Sequence, residues 1–241
     1  VEPPFVGLFL CLPMKIFAFP FAGGDSYCYR EFQKKITHIP IITLSLPGRG
    51  KRFGDQRLES IDGMADEAIK QFQLTKAQDF VFYGHSMGAL IAYVTATKLR
   101  ALHLPQPKLL FFSGRKGASL NTGKGNRHKL PAKEFRAELE SLGGCPKEVL
   151  QNHELMEIFE PILRSDFKAV ETYQYITAQP LQQKITLFHG NGDHFTKEEV
   201  LTWQQESGQP IEYHEFDGGH FFIQKDCDTI CDIMEAQINR L

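Results

Sequence analysis

The sequence predicts an α/β fold: a mostly parallel central sheet with helices on both faces, in one domain spanning 1–241. Three observations lead there. Apolar runs of strand length alternate with amphipathic stretches of helix length through the first half of the chain, the pattern of parallel strands joined by covering helices. The same alternation resumes after residue 183. Between about 115 and 183 no strand-like run appears, and helical pieces fill an insertion placed to act as a lid over one sheet edge.

In order, residues 15–19 read as the first strand, closed by Pro20-Phe21-Ala22-Gly23-Gly24. Two glycines there permit a turn whose N–H groups point inward. Residues 27–36 read as a helix and 40–46 as a strand, followed by Pro47-Gly48-Arg49-Gly50-Lys51-Arg52. This basic loop at a strand's C-terminal end either faces a substrate phosphate or is simply solvated. Residues 60–74 carry helical spacing, with Ser60 as N-cap. A strand at 80–83, a helix at 89–99 and a strand at 108–113 complete the first half.

The insertion opens with a run from Arg115 to Lys129 that holds five Lys or Arg and no acid. Helices are expected at 131–142, 147–152, 155–164 and 166–176. Their apolar positions Phe135, Leu139, Leu142, Leu155, Ile158, Phe159, Ile162 and Leu163 either close over a site or pack on the body. A strand at 184–189, a helix at 197–205, a strand at 211–216 and a helix at 229–240 end the chain.

Within this pattern Gly84-His85-Ser86-Met87-Gly88 stands between a strand and a helix, the context of a nucleophile elbow, where a tight turn lifts a serine clear of the sheet. A serine hydroxyl needs a base, and the base needs a carboxylate to fix its tautomer. Elbow hydrolases present these in the order serine, acid, histidine. Ser86, Asp193 and His220 fit, each just beyond a predicted strand and so on one sheet edge. His194 competes as base, and Asp217 and Asp166 compete as acid; His85 and His189 abut strands and read as structural. The glycine turn after the first strand sits where such hydrolases supply a second oxyanion donor.

Composition narrows the classes. The net charge is −2, which gives no global electrostatic case for nucleic acid. No apolar run approaches membrane-spanning length. The five cysteines, Cys11, Cys28, Cys145, Cys227 and Cys231, lack paired metal spacing and fit a reducing cytoplasm. Residues 1–13 are apolar without a basic start and read as an extension or leader.

Together, Phe19-Pro20-Phe21-Ala22-Gly23-Gly24, Leu46-Pro47-Gly48-Arg49-Gly50, Gly84-His85-Ser86-Met87-Gly88, Arg164-Ser165-Asp166-Phe167 and Phe216-Asp217-Gly218-Gly219-His220 resemble the type II thioesterases that accompany nonribosomal peptide and polyketide synthetases. The resemblance runs from about Met14 to the C-terminus. It implies an α/β-hydrolase fold and hydrolysis of misprimed or stalled acyl groups from the phosphopantetheine arm of carrier proteins. By position Ser86 matches the nucleophile, Asp193 the acid and His220 the base, with the backbone N–H groups of Met87 and Ala22 as oxyanion hole.

No cofactor or metal is expected, since phosphopantetheine arrives with the carrier protein, and a monomer is expected. Carrier proteins of these systems are generally acidic, which gives the 115–129 run a role in steering them. The rivals are a small-molecule carboxylesterase, a fatty-acid-releasing acyl carrier protein thioesterase and a non-catalytic binding module.

Overall fold

Six strands pair into one sheet: β1 (Lys15–Phe19), β2 (Ile41–Thr43), β3 (Phe80–His85), β4 (Leu109–Ser113), β5 (Lys184–Gly190) and β6 (Glu212–Phe216). The order is β2-β1-β3-β4-β5-β6, and all five ladders are parallel. The computed structural model describes residues 14–121, 123–145 and 147–241; the extension expected at 1–13 lies outside them. β3 and β4 are buried along their whole length, as strands covered on both faces must be.

Alternate side chains feed two cores. Phe17, Phe19, Phe80, Phe82 and Phe112 pack under α2 (Ile61–Thr75) and α3 (Met87–Ala101). Ile16, Ala18, Val81, Tyr83 and Phe111 pack under α1 (Arg30–Lys35) and α8 (Cys227–Ile238), whose Cys227 and Cys231 are buried packing residues. Ser60 caps α2 as its sequence predicts, its Oγ accepting from the Gly63 N–H at 3.1 Å. Because every strand runs the same way, the loops after β1, β3, β5 and β6 share one edge.

Between β4 and β5 lie α4 (Ala132–Leu142), α5 (Lys147–Gln151) and α6 (His153–Thr172), with α7 (Lys197–Leu201) following β5. The helices expected at 155–164 and 166–176 are one continuous helix. Asp166, expected to open the second of them, is instead fully buried in mid-helix with a charged partner. Pro161 stands within α6 without ending it. Phe135, Leu139, Leu150, Met156, Leu163 and Phe167 form a core of their own inside the insertion. Leu155, Ile158 and Phe159, expected to close over a site or pack, are instead exposed on α6.

Candidate active site

Ser86 sits at the end of β3 with φ 54° and ψ −115°, a conformation that costs a non-glycine residue of order 1–3 kcal/mol. The turn is held by the Ser86 N–H donating to the Ser113 carbonyl at 2.8 Å. It closes only because its flanks are bare: a Cβ on Gly84 would overlap the Gly88 backbone, and one on Gly88 would overlap the Phe19 carbonyl. Crossing so sharply from strand to helix leaves the Met87 N–H at the first turn of α3 without an intrahelical acceptor, aimed where positive dipole character favours an anion.

The loops after β5 and β6 bring the partners in. Gly192 N–H donates to the Gly218 carbonyl (2.8 Å), and Asn191 bridges to Asp217 (2.8 Å), so the two loops are stitched together. Asp217, one candidate acid, is thereby spent on this stitching. His220 Nε2 then accepts from the Ser86 hydroxyl at 2.9 Å, while His220 Nδ1–H donates to Asp193 at 2.9 and 3.0 Å. The sequence places these three residues on separate loops, and the fold brings them into one hydrogen-bonded chain.

Burial and charge set the protonation states. Burial alone would raise the Asp193 carboxyl, but hydrogen bonds from His194 and His220 outweigh it and hold it well below the usual carboxylate range. Burial lowers the His220 imidazole; Asp193 opposes that shift, whereas His194 and Arg115 reinforce it. His220 is therefore neutral at pH 7, ready to accept a proton. His85 is also held neutral by burial and bonds Ser113 through Nδ1 at 2.8 Å, a structural role as expected. His189 likewise bonds Tyr213 and the Phe195 carbonyl. The Nδ1 of His194 faces Asp193 at 2.7 Å, so it shares the acid instead of facing the serine.

Asp193, His194 and His220 also bring one ligand atom each within 4.8 Å, close enough for a metal. Both ring nitrogens of His220 are already engaged, one by Ser86 and one by Asp193, which leaves it no free lone pair for an ion.

Two cavities meet at Ser86 and His220, with Ala22, Leu142 and Phe167 on both walls. One is apolar and lined by Leu139, Leu163 and Phe221. The other carries Arg115, Arg127, His194 and Phe195. These arginines belong to the run read from sequence as solvated or steering. Arg115 is in fact buried, with its guanidinium lowered to about 10 by burial and by the nearby Arg127. Arg127 is paired with Glu171 at 2.7 Å. Arg49, expected to face solvent or a substrate phosphate, does neither: it is 3% exposed and forms a bidentate pair with Asp166. That pairing also removes Asp166 as a candidate for the triad acid.

A parallel sheet with a strained serine turn after its third strand, and acid and histidine on later loops, is an α/β-hydrolase. The thioesterase domain family matches residues 14–238, and the chain belongs to that family. It is 33% identical over 228 residues to the protein named linear gramicidin dehydrogenase LgrE of Brevibacillus parabrevis, covering 92% of this chain and 87% of that one. It is 31% identical over 227 residues to the gramicidin S biosynthesis protein GrsT of Aneurinibacillus migulanus, covering 93% and 89%. Among solved structures, YbtT, a type II thioesterase from the yersiniabactin NRPS/PKS biosynthetic pathway, superposes with a TM-score of 0.84 at 27% identity, covering 95% of this chain and 93% of that one. The protein is a serine-type thioesterase.

Proposed function

We propose that this thioesterase removes acyl groups from the phosphopantetheine arm of carrier-protein domains in a nonribosomal peptide or polyketide synthetase, with Ser86 as nucleophile, His220 as base and Asp193 as its orienting acid. The observation that carries the mechanism is the Ser86–His220–Asp193 chain, with 2.9 Å on each side of the imidazole. Ser86 Oγ attacks the thioester carbonyl as its proton passes to His220 Nε2. The C–S bond then breaks, and the thiolate takes that proton and leaves. A water deprotonated by His220 attacks the acyl-enzyme, and the Ser86 oxygen recovers the proton as the acid departs. The backbone N–H groups of Met87 and Ala22 stabilise the tetrahedral oxyanion.

The helical insertion is read as a lid, because Leu139, Leu142 and Leu163 wall the apolar cavity beside Ser86. Steering of an acidic carrier would fall to the exposed Lys124 and Lys129, since Arg115 is buried and Arg127 is paired. The chemistry needs no metal or cofactor. The dehydrogenase in one relative's name has no counterpart in the turns after β1 and β3, where no Gly-x-Gly-x-x-Gly stands.

A monomer is proposed, working in the cytoplasm. Unpaired Cys28, Cys145, Cys227 and Cys231 suit that compartment, and among the described residues no helix is long and apolar enough to cross a membrane.

The test is hydrolysis of acetyl-phosphopantetheinyl carrier protein beside acetyl-CoA and a matched oxygen ester, with Ser86→Ala as control. A preference for the carrier substrate, abolished in Ser86→Ala, is expected. Preference for the free ester would overturn the carrier assignment, and turnover by Ser86→Ala within about tenfold of wild type would overturn the nucleophile.

A further inference from the structure

The second proposed oxyanion donor, Ala22, sits in a short glycine turn that is gripped from outside as well as by its own hydrogen bond. Phe21-Ala22-Gly23-Gly24 is closed by the Gly24 N–H donating to the Phe21 carbonyl at 2.9 Å, with Gly23 at φ +78°. That φ at the third position marks a type II turn, whose central peptide can flip at little cost when glycine follows it. The central peptide is the one joining Ala22 to Gly23. The Ala22 N–H belongs to the peptide before it, so whatever pins the Ala22–Gly23 peptide holds the backbone directly after that donor and keeps the turn in place beneath it.

A residue far along the chain fixes that peptide. The Gly23 N–H donates to Asp166 Oδ2 at 2.8 Å, across 143 residues of sequence. Arg49 holds the same carboxylate from the other side, Nη1 to Oδ2 at 2.6 Å and Nη2 to Oδ1 at 2.7 Å. Arg49 and Asp166 are 3% and 0% exposed. Leu163, one turn earlier on α6, presses on the turn as well, for a Cβ on Gly23 would lie 2.7 Å from its Cδ2. Leu163 also walls the apolar cavity.

We infer that the buried Arg49–Asp166 pair is a positioning device for the reaction: by gripping the Gly23 N–H it fixes the turn that presents the neighbouring Ala22 N–H to the oxyanion, and it ties that turn to α6. A buried ion pair is a poor source of stability, since its desolvation offsets its attraction. A bidentate, charge-assisted grip on one peptide N–H does supply geometric precision, which is what an oxyanion hole requires. The inference rests on the Ser86 acyl-transfer reading.

The test is a set of variants assayed against an acyl-pantetheine thioester and a trifluoromethyl ketone analogue of it, which adds Ser86 to form a tetrahedral oxyanion. Asp166→Ala should lower kcat by about a hundredfold, the scale of losing one oxyanion donor, with KM within about threefold. Affinity for the ketone should fall by the same factor as kcat/KM, which loss of a merely structural tether would not produce. Arg49→Lys, the milder change, should fall between Asp166→Ala and wild type on both axes and serves where Asp166→Ala does not fold.

The exchanged pair Arg49→Asp with Asp166→Arg restores the ion pair but leaves Gly23 without its acceptor. Recovery of its melting temperature without kcat supports the inference; recovery of both overturns it. It is equally overturned if folded Asp166→Ala or Arg49→Lys keeps kcat and ketone affinity within about threefold of wild type. If Ser86→Ala itself stays active, the acyl-transfer reading falls instead, which separates the two failures.

Discussion

The sheet edge that carries Ser86, Asp193 and His220 and the helical insertion between β4 and β5 are held together by different means. At the sheet edge, backbone does the holding: a strained serine turn, glycines where no Cβ fits, and main-chain hydrogen bonds between neighbouring loops. Among the described residues the insertion has no strand to anchor it. It has its own small core, and side chains tie it to the body, with Asp166 on Arg49, Lys168 on Glu59 and the Tyr175 hydroxyl on Glu206. The catalytic frame is therefore rigid by geometry, while the covering helices are set by a few polar ties that can be broken one at a time.

Substitutions at the two regions should fail in different ways. His220→Ala is expected to lose about 10⁴-fold or more in kcat while its melting temperature stays near that of wild type. Phe135→Ala, at the centre of the insertion core, should cost about 3–5 kcal/mol, read as a lower melting temperature and faster amide exchange in α4 and α6. If His220→Ala unfolds, or if Phe135→Ala leaves insertion exchange unchanged, the contrast fails.

A smaller effect sharpens it. Ser86→Gly and Ser86→Ala should both be inactive, but glycine relieves the φ 54° strain, so Ser86→Gly should be the more stable by about 1 kcal/mol in denaturant titrations. Equal stabilities would mean that the elbow stores no strain.

The smallest concerns pH. His220 must be neutral to take the Ser86 proton, and its folded pKa lies below the ordinary imidazole value of about 6.5. Activity therefore rises with pH through a limb below that value, and turnover persists in mild acid. His194→Ala removes a neighbour that lowers His220, so the limb in kcat/KM should move to higher pH. A shift the other way would mean that loss of the His194 hydrogen bond to Asp193 changes the acid more than loss of that neighbour changes the base.

The same division explains what could be read from the chain. Strand, elbow and helix are adjacent in sequence, so periodicity and glycine placement declare them, and parallel topology then carries Asp193 and His220 to the edge where Ser86 stands. Arg49 could not be read in this way. A basic residue in a strand-end loop normally meets solvent or ligand, and its true partner lies 117 residues away on a helix of the insertion. Arg115 was obscured for the same reason, because a run of like charges gives no sign of which member turns inward. The helix ends around α1 and the short extent of β2 were set by tertiary packing, which local propensity does not report.

The meeting of an apolar cavity and an arginine-lined one at a single serine bears on the order of events. A thioester is an acyl group and a thiol joined at a carbonyl, and on the proposed mechanism the two cavities meet where that carbonyl is attacked. On that mechanism, departure of the thiol would leave room beside His220 for the hydrolytic water.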